Sequence, residues 1–528
     1  MKASDVLSTS TKNIGAMALI KPVLDRAGIG ETVDRYAPME RKGRGISNGE
    51  AVEVMVMNRL TSPTPLWRVE DWAREYALRE VSGVSPGEVN DDRLARALDS
   101  ISPAIEEIEA EVSLRMMKEY RIRPELVHLD FTSLYFEGAY DDSGFLKLGY
   151  SRDQKPDKKQ VNIGIDVDAS EGMPLFHTQH DGNAADPGMA VENLRKIRER
   201  LKPDRLIVVG DRSAIDGEIA LMLGDYGLDF IGAMRMSQRI KELVASTPEG
   251  RFRPLDVKGV RGPKEGYSAA EAPIEFSHDG RKMEARGIVV LSGRKAELDR
   301  KRRDEGIRSI ESRLDGVRAK LNGRKWMNPE FVRKKVESVL KEGKQKNYAH
   351  LVRAEVKGDY ESLSLASSVD EEAVRREERL DGKYVLATTL RGWTAERVVE
   401  GYRSRYLVES RIRNMKSDMA VRPVFLHGDD RIRALVFVSV LALMVYTLME
   451  IMARRKGIGS VRRNRSAPIT ANQLLLLFGR IGLVELRLKD RSRLRVVQDL
   501  NVLQTRVLKR LGLPMPETYV RVQSKPVA

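Results

Sequence analysis

From Ile46 to about residue 122, apolar residues recur at helical spacing. The segment ISNGEAVEVMVMNRL opens on Ser47 with Glu50 three residues later, the arrangement in which both side chains satisfy free backbone N–H groups at a helix start. A second amphipathic pattern, SPTPLWRVEDWAREYAL, follows its prolines. Residues Asp91–Ile122 hold one or two more helices, broken near Pro103. At Pro124 the period drops to two. ELVHLDFTSLYFEG alternates apolar and polar residues and is rich in β-branched and aromatic side chains, so it predicts a strand. QVNIGIDVD and MPLFHTQH predict two more. A helix over Met189–Leu201, a buried strand over Asp204–Gly210, a helix over Ala214–Gly227 and a strand over Leu228–Met234 come next. Strands first, then alternation of helix and strand, indicates an α/β layer on a mixed sheet.

Between Arg235 and Lys383 the pattern is irregular. The strand-like pieces GIVVLSG and LVRAEVKG flank a charged stretch whose core, ELDRKRRDEGIRSIESRLDGVRAKL, has the mixed charge of a solvent-washed helix. KYVLATT restores a strand. Helices follow over Thr394–Met419, over Arg431–Arg454 and onward to Leu511. Five segments result: a helical N-terminal module (1–122), an α/β segment (123–234), an irregular segment (235–383), a strand-and-helix segment (384–455) and a C-terminal helical region (456–528). The apolar run Ala434–Met449 is shorter than the roughly 20 residues of a bilayer span, so a buried helix and no membrane partner are expected.

Composition sharpens the partner. Lys and Arg number 92 against 77 Asp and Glu, a net charge of +15, which favours a polyanion such as nucleic acid. The chain has no cysteine, which excludes disulfides, thiolate metal sites and cysteine nucleophiles. The N-terminal residues lack a secretory signal pattern, and a cytoplasmic, nucleoid-associated protein of a prokaryote is expected.

Three places carry candidate chemistry. Asp130 lies inside a strand and shares a face with His128 and Thr132; an acid there either pairs with a cation or holds a metal. Asp211 follows the apolar run Leu206–Val209 and Gly210, where α/β sheets gather their ligands. It is equally placed to cap a helix starting near Ser213. In GYRSRYLVESRIRNMKSDM, with no internal Gly or Pro, an unbroken helix would put Tyr402, Arg405, Glu409 and Lys416 on one stripe. A surface ladder from Arg405 to Glu409 is the plainer reading of that stripe. Asp166 and Asp168 are expected to face solvent on a rim strand, and Trp67 and Trp72 to be core. The six histidines show no zinc-ligand spacing.

The spacing Y-x2-R-x3-E-x6-K resembles the signature of DDE-class insertion-sequence transposases of group four, in a long branch with a large insertion before the Glu. LDFTSLYF, VVGDRSAI and RPVFLHGDDRIRALVFVSVLAL resemble the family's flanking segments, so the likeness covers roughly residues 45 to 455. It implies a ribonuclease H-like core in two parts, 123–234 and 384–455, around a large insertion domain, 235–383, with Asp130, Asp211 and Glu409 as catalytic metal ligands. Two Mg²⁺ or Mn²⁺ ions per site would suit these hard oxygen donors. It further implies that Tyr402, Arg405 and Lys416 hold the DNA 5′ phosphate. The implied partners are double-stranded DNA, as terminal inverted repeats and target, and a second copy in a homodimer. Two rivals share the core: a junction-resolving or other nuclease, and a catalytically dead DNA-binding descendant.

Overall fold

The computed structural model describes the chain except residues 1–5, 40–44, 185, 202–205, 212–214, 258–265, 342–345, 420–425, 461–466, 491 and 522–528. In chain order the strands are β1 (Val6–Asn13), β2 (Leu126–Tyr135), β3 (Gln160–Asp168), β4 (Pro174–Asp181), β5 (Ile207–Gly210), β6 (Asp229–Ala233) and β7 (Arg253–Leu255). They continue with β8 (Tyr267–His278), β9 (Arg281–Ser292), β10 (Val352–Gly358), β11 (Leu363–Val369), β12 (Lys383–Thr388), β13 (Gly482–Leu488) and β14 (Arg493–Val497). The chain divides into two compact units, residues 1–209 with 404–528, and residues 210–403.

The first unit is built on strands in the order β4-β3-β2-β5, antiparallel except for the parallel pair β2–β5. Every residue of β3 is buried, because helices cover both sides. Helix Asp186–Leu201 packs on β3 and β4, while helices Ile105–Glu119 and Asp429–Arg455 also pack on β4, and Tyr406–Arg413 packs on β2 and β3. Partners across the ladder share a face, so Asp130, Ile165 and His177 line one side, and Leu129, Asp166 and Phe176 the other. Helix Asp429–Arg455 has the length and apolarity of a membrane span, yet 94% of its most apolar stretch is buried inside the protein. It packs against helices Asn48–Thr61 and Asp91–Ile101. The expected helix start at Ser47 is present, with the Ser47 hydroxyl accepting from Glu50 N and the Glu50 carboxylate accepting from Ser47 N. The expected break near Pro103 is a 3₁₀ turn, Ser102–Ala104.

Four expectations need correction. Asp166 and Asp168 do not face solvent; they are 0% and 1% exposed, because helices cover the sheet where β3 runs. Trp72 is core, but Trp67 is 66% exposed on a short 3₁₀ turn, Leu66–Arg68, with the Arg68 guanidinium over its ring. The N-terminal region is not purely helical, and neither is the C-terminal one. Strand β1 pairs antiparallel with β13, and β13 with β14, in a three-stranded sheet. Its polar strand VLSTSTKN is mostly exposed and offers little apolar period to read.

The second unit holds strands in the order β6-β12-β9-β8-β7. β8 and β9 form a long hairpin that turns at Asp279 and Gly280, both with positive φ. β8, YSAAEAPIEFSH, has too much Ala, Glu and Pro to read as a strand from pattern, and β9 supplies its register. After β9 comes the solvent-washed helix, Gly293–Arg318, of which only Arg303, Gly306, Ile310, Leu314 and Val317 are buried. It packs with helix Pro329–Lys341 and the β10–β11 hairpin around a separate apolar core.

Candidate active site

β2 is a buried strand because it runs through the middle of the first unit's sheet. Between Val127 and Leu134 the one residue not buried is Asp130. Its Oδ1 accepts from Phe131 N at 2.9 Å. Two residues earlier, His128 is fully buried, and its Nε2 lies 2.7 Å from Ser404 Oγ. Burial, and then the charge of Arg405, lowers the His128 pKa to about 3, so the ring is neutral. Its Nδ1 has no partner among the described residues. A bare lone pair is a lesser loss than a bare N–H, so the proton belongs on Nε2, which donates to the Ser404 hydroxyl.

The Ser404 contact fastens the start of the glutamate helix. Sequence pattern predicts one helix through Tyr402–Lys416; the structure has three pieces. Helix Ala395–Arg403 carries Tyr402 and belongs to the second unit, a turn holds Ser404 and Arg405, helix Tyr406–Arg413 carries Glu409, and a π turn, Asn414–Asp418, carries Lys416. The break contains neither Gly nor Pro and falls where Ser404 meets His128. The wider π turn advances less than 100° per residue, which rotates Lys416 away from the position drawn for a regular helix.

The signature residues have these partners. Arg405 Nη2 donates to Glu409 Oε1 at 3.0 Å, the ladder that plain helix spacing allows. The Glu409 side chain is 48% exposed. Lys416 Nζ donates to Asp153 Oδ1 at 2.7 Å, with both side chains largely buried. The Tyr402 ring lies 6.3 Å from that of Tyr384. Asp211 follows Gly210 at the end of β5 and is half-buried. The expected helix start near Ser213 lies outside the described residues. The helix that is described there, Gly217–Asp225, is capped by Asp216, whose Oδ1 accepts from Ile219 N at 3.0 Å.

Pattern alone does not single out three residues that hold this region. Arg411 is buried; its Nε donates to Gly172 O at 2.8 Å and its Nη1 to Glu450 Oε2 at 2.7 Å. That ties the glutamate helix to the β3–β4 turn and to helix Asp429–Arg455. Asp153 is the partner of Lys416. Tyr446 donates to Asp418 Oδ2 at 2.8 Å and anchors the π turn. Each is a polar residue in an apolar or loop context, a signal visible in sequence only when the partner is known.

Asp130 and Glu409 thus stand in one unit, on a strand and a helix that pack together, while Asp211 belongs to the other. Among the described residues, no three His, Asp or Glu stand within reach of one metal ion. The donor chemistry nevertheless suits a hard divalent cation: carboxylate oxygens that reach solvent, without thiolate.

The family model described as "Transposase DDE domain" matches residues 122–445. A model described as "Domain of unknown function (DUF4277)" matches residues 9–112. No curated protein matches the chain. A cryo-EM structure of a piggyBac transposase synaptic complex with hairpin DNA is similar at a TM-score of 0.39 and 11% identity, over 97% of this chain and 85% of that one.

Proposed function

The chain belongs to the DDE transposase family, and from that premise we propose that Asp130, Asp211 and Glu409 are the carboxylates of its metal-dependent DNA cleavage and joining. The protein is a DNA transposase. The observation that carries the residue assignment is Asp130, the one open position between Val127 and Leu134 of a buried strand, with the helix of Glu409 packed over that strand. The spacing from Tyr402 to Lys416 supports placing it in group four of the insertion-sequence enzymes.

Two Mg²⁺ or Mn²⁺ ions bound to such oxygens would supply an activated nucleophile and neutralise charge at the phosphodiester. The chain's own residues do the rest. β2 and the glutamate helix fix two carboxylates on rigid elements, and neutral His128 holds the start of that helix without adding a cation beside Asp130. Arg405 orients Glu409 through their ion pair, and its planar donor fork would be the group that grips a DNA phosphate. Lys416, once released from its Asp153 pair, would contribute charge, and Tyr402 a hydroxyl or ring beside the same phosphate. The substrates would be double-stranded terminal inverted repeats and target DNA. Two ends cut in one event would need two copies, so a homodimer on DNA is part of the proposal.

The test is nicking of duplexes that carry the inverted repeats flanking the gene, with Mg²⁺, by Asp130→Ala, Asp211→Ala and Glu409→Ala. Each should retain its fold and DNA affinity and lose cleavage by at least ~10²-fold, as removal of one electrostatic element does elsewhere. Near-wild-type nicking by any one folded variant removes that residue from the site.

A further inference from the structure

The tip of the helical hairpin in the second unit is a cluster of cations without a carboxylate partner among the described residues. Between Ala319 and Val336 the sequence has Lys320, Arg324, Lys325, Arg333, Lys334 and Lys335 against one acid, Glu330. Among the described residues none of these six has a carboxylate partner. The neighbouring helices are different. Lys295 pairs with Asp299, Lys301 with Glu305, Arg318 with Asp315, Arg375 with Glu371 and Arg376 with Glu372. Buried Arg303 holds Asp381 through two contacts of 2.7 Å. A charged helix that is merely solvated intersperses its charges and pairs many of them, as these do, although Arg300 and Arg302 also have no carboxylate partner among the described residues. The tip departs from that pattern.

The tip is also rigidly built. Asn322 takes φ +63°, and its Nδ2 donates to Leu363 O at 3.1 Å while Leu363 N donates to its Oδ1 at 2.8 Å. This pins the turn to the β10–β11 hairpin. Buried Leu314, Val317, Val332 and Val336 form the core beneath it. Trp326 and Phe331 meet edge to face at 5.2 Å, with Lys320 Nζ 5.6 Å from the Trp326 ring centroid and Lys335 Nζ 5.8 Å from that of Phe331. The rings steady two ammonium groups without cancelling their charge.

We propose that this tip is a docking surface for the phosphate backbone of duplex DNA, read without regard to sequence. Unneutralised, preorganised cations fit a polyanion whose charges repeat along a rigid rod. Trp326 and Phe331 are partly buried against the apolar core, meet edge to face, and each carries a lysine over its ring, so they offer little platform for an unpaired base, which favours duplex over single strand. The six cations are remote in sequence from Asp130, Asp211 and Glu409, and their role is capture, not cleavage. The proposal rests on the transposase reading for its biological use, and on its own geometry for the binding.

The experiment compares full-length wild type with Lys320→Gln/Arg324→Gln/Lys325→Gln and with a control triple on paired cations, Lys301→Gln/Arg375→Gln/Arg376→Gln. Binding to a duplex of arbitrary sequence, to the same strand unpaired, and to a duplex with the flanking inverted repeats is measured across a salt series. Each lost phosphate contact removes about 0.9 from the log–log salt slope of duplex binding. The tip variant should therefore lose about 2 to 3 from that slope on both duplexes equally, with little change on the single strand, and the control should lose nothing. An unchanged slope overturns the proposal, as does a loss confined to the repeat-bearing duplex or an equal loss in the control. Anionic vesicles run alongside: if the tip variant loses vesicle binding and keeps its duplex slope, the surface is not a DNA surface. Nicking of the flanking repeats by wild type keeps the two readings apart. Cleavage with an unchanged tip slope sinks the tip alone. A lowered tip slope without any cleavage leaves the DNA surface standing and removes the catalytic reading.

Discussion

At Asp166 a carboxyl group is fully buried, and neither oxygen has a hydrogen-bond partner among the described residues. Burial raises its pKa well above the ordinary 3.8. A carboxyl with a raised folded pKa carries no penalty below the unfolded value. Above it the unfolded chain ionises and the folded one does not, so stability falls as pH rises from about 4 toward the folded value. Asp166→Asn should therefore stabilise the protein at neutral pH by on the order of 1 kcal/mol, and the gain should fade near pH 4. Urea unfolding of both proteins across that range checks it. A variant less stable than wild type at pH 7 would mean that the ionised carboxylate serves some partner. The residue scale is also where sequence reading is most uneven. Asp130 announces itself as an acid in an apolar strand, but the same signal at Asp166 was expected to point to solvent. The two lie on opposite faces of adjacent strands, and alternation within a strand does not say whether the second face is covered.

The glutamate helix shows what periodicity can and cannot deliver for an element. Tyr402, Arg405, Glu409 and Lys416 are legible as a spacing, since composition supplies the residue types and no Gly or Pro interrupts them. The break at Ser404–Arg405 and the π turn at Asn414–Asp418 are not legible, because their causes are tertiary: His128 reaching Ser404, and Tyr446 reaching Asp418. The anchoring cation, Arg411, sits two residues from Glu409, and its charge is matched by Glu450 across to another helix. Removing one partner of a buried pair leaves the other charge without compensation. Arg411→Ala should destabilise the protein by about 3–5 kcal/mol, and Arg411→Met with Glu450→Gln by much less. Chemical denaturation of the single and double variants measures it. If Arg411→Ala costs no more than a surface pair, up to about 1 kcal/mol, the helix is held by its apolar face and not by the guanidinium.

Over the whole chain, local pattern places most helices and core strands but not the closure of the two termini. Residues 1–122 and 456–528 read as separate segments, yet β1 lies on β13 in one ladder from Val6 with Leu488 to Asn13 with Gly482. The junction continues past the ladder: Ile14 N and Gly15 N both donate to Ile481 O, Asn13 Nδ2 donates to Gly479 O at 3.1 Å, and Arg26 Nη1 donates to Leu511 O at 3.3 Å. No period within either segment encodes a pairing between strands so distant in sequence, and β1 itself is mostly polar and exposed. With its neighbour removed, β1 has no other strand to pair with among those described. A two-stranded ribbon is marginal and a lone strand is not stable. A chain ended after Arg480 should therefore lose hydrogen-exchange protection over Thr9–Asn13 and in the helix that follows, Met17–Ala27. The hairpin module of the second unit, with its own core around Leu314 and Val332, should keep its protection. Peptide-level exchange on both chains reads the two outcomes in one experiment. Protection retained over Thr9–Asn13 in the shortened chain would show that the N-terminal strand holds its place without β13. Loss over the hairpin module as well would show that the two units unfold as one.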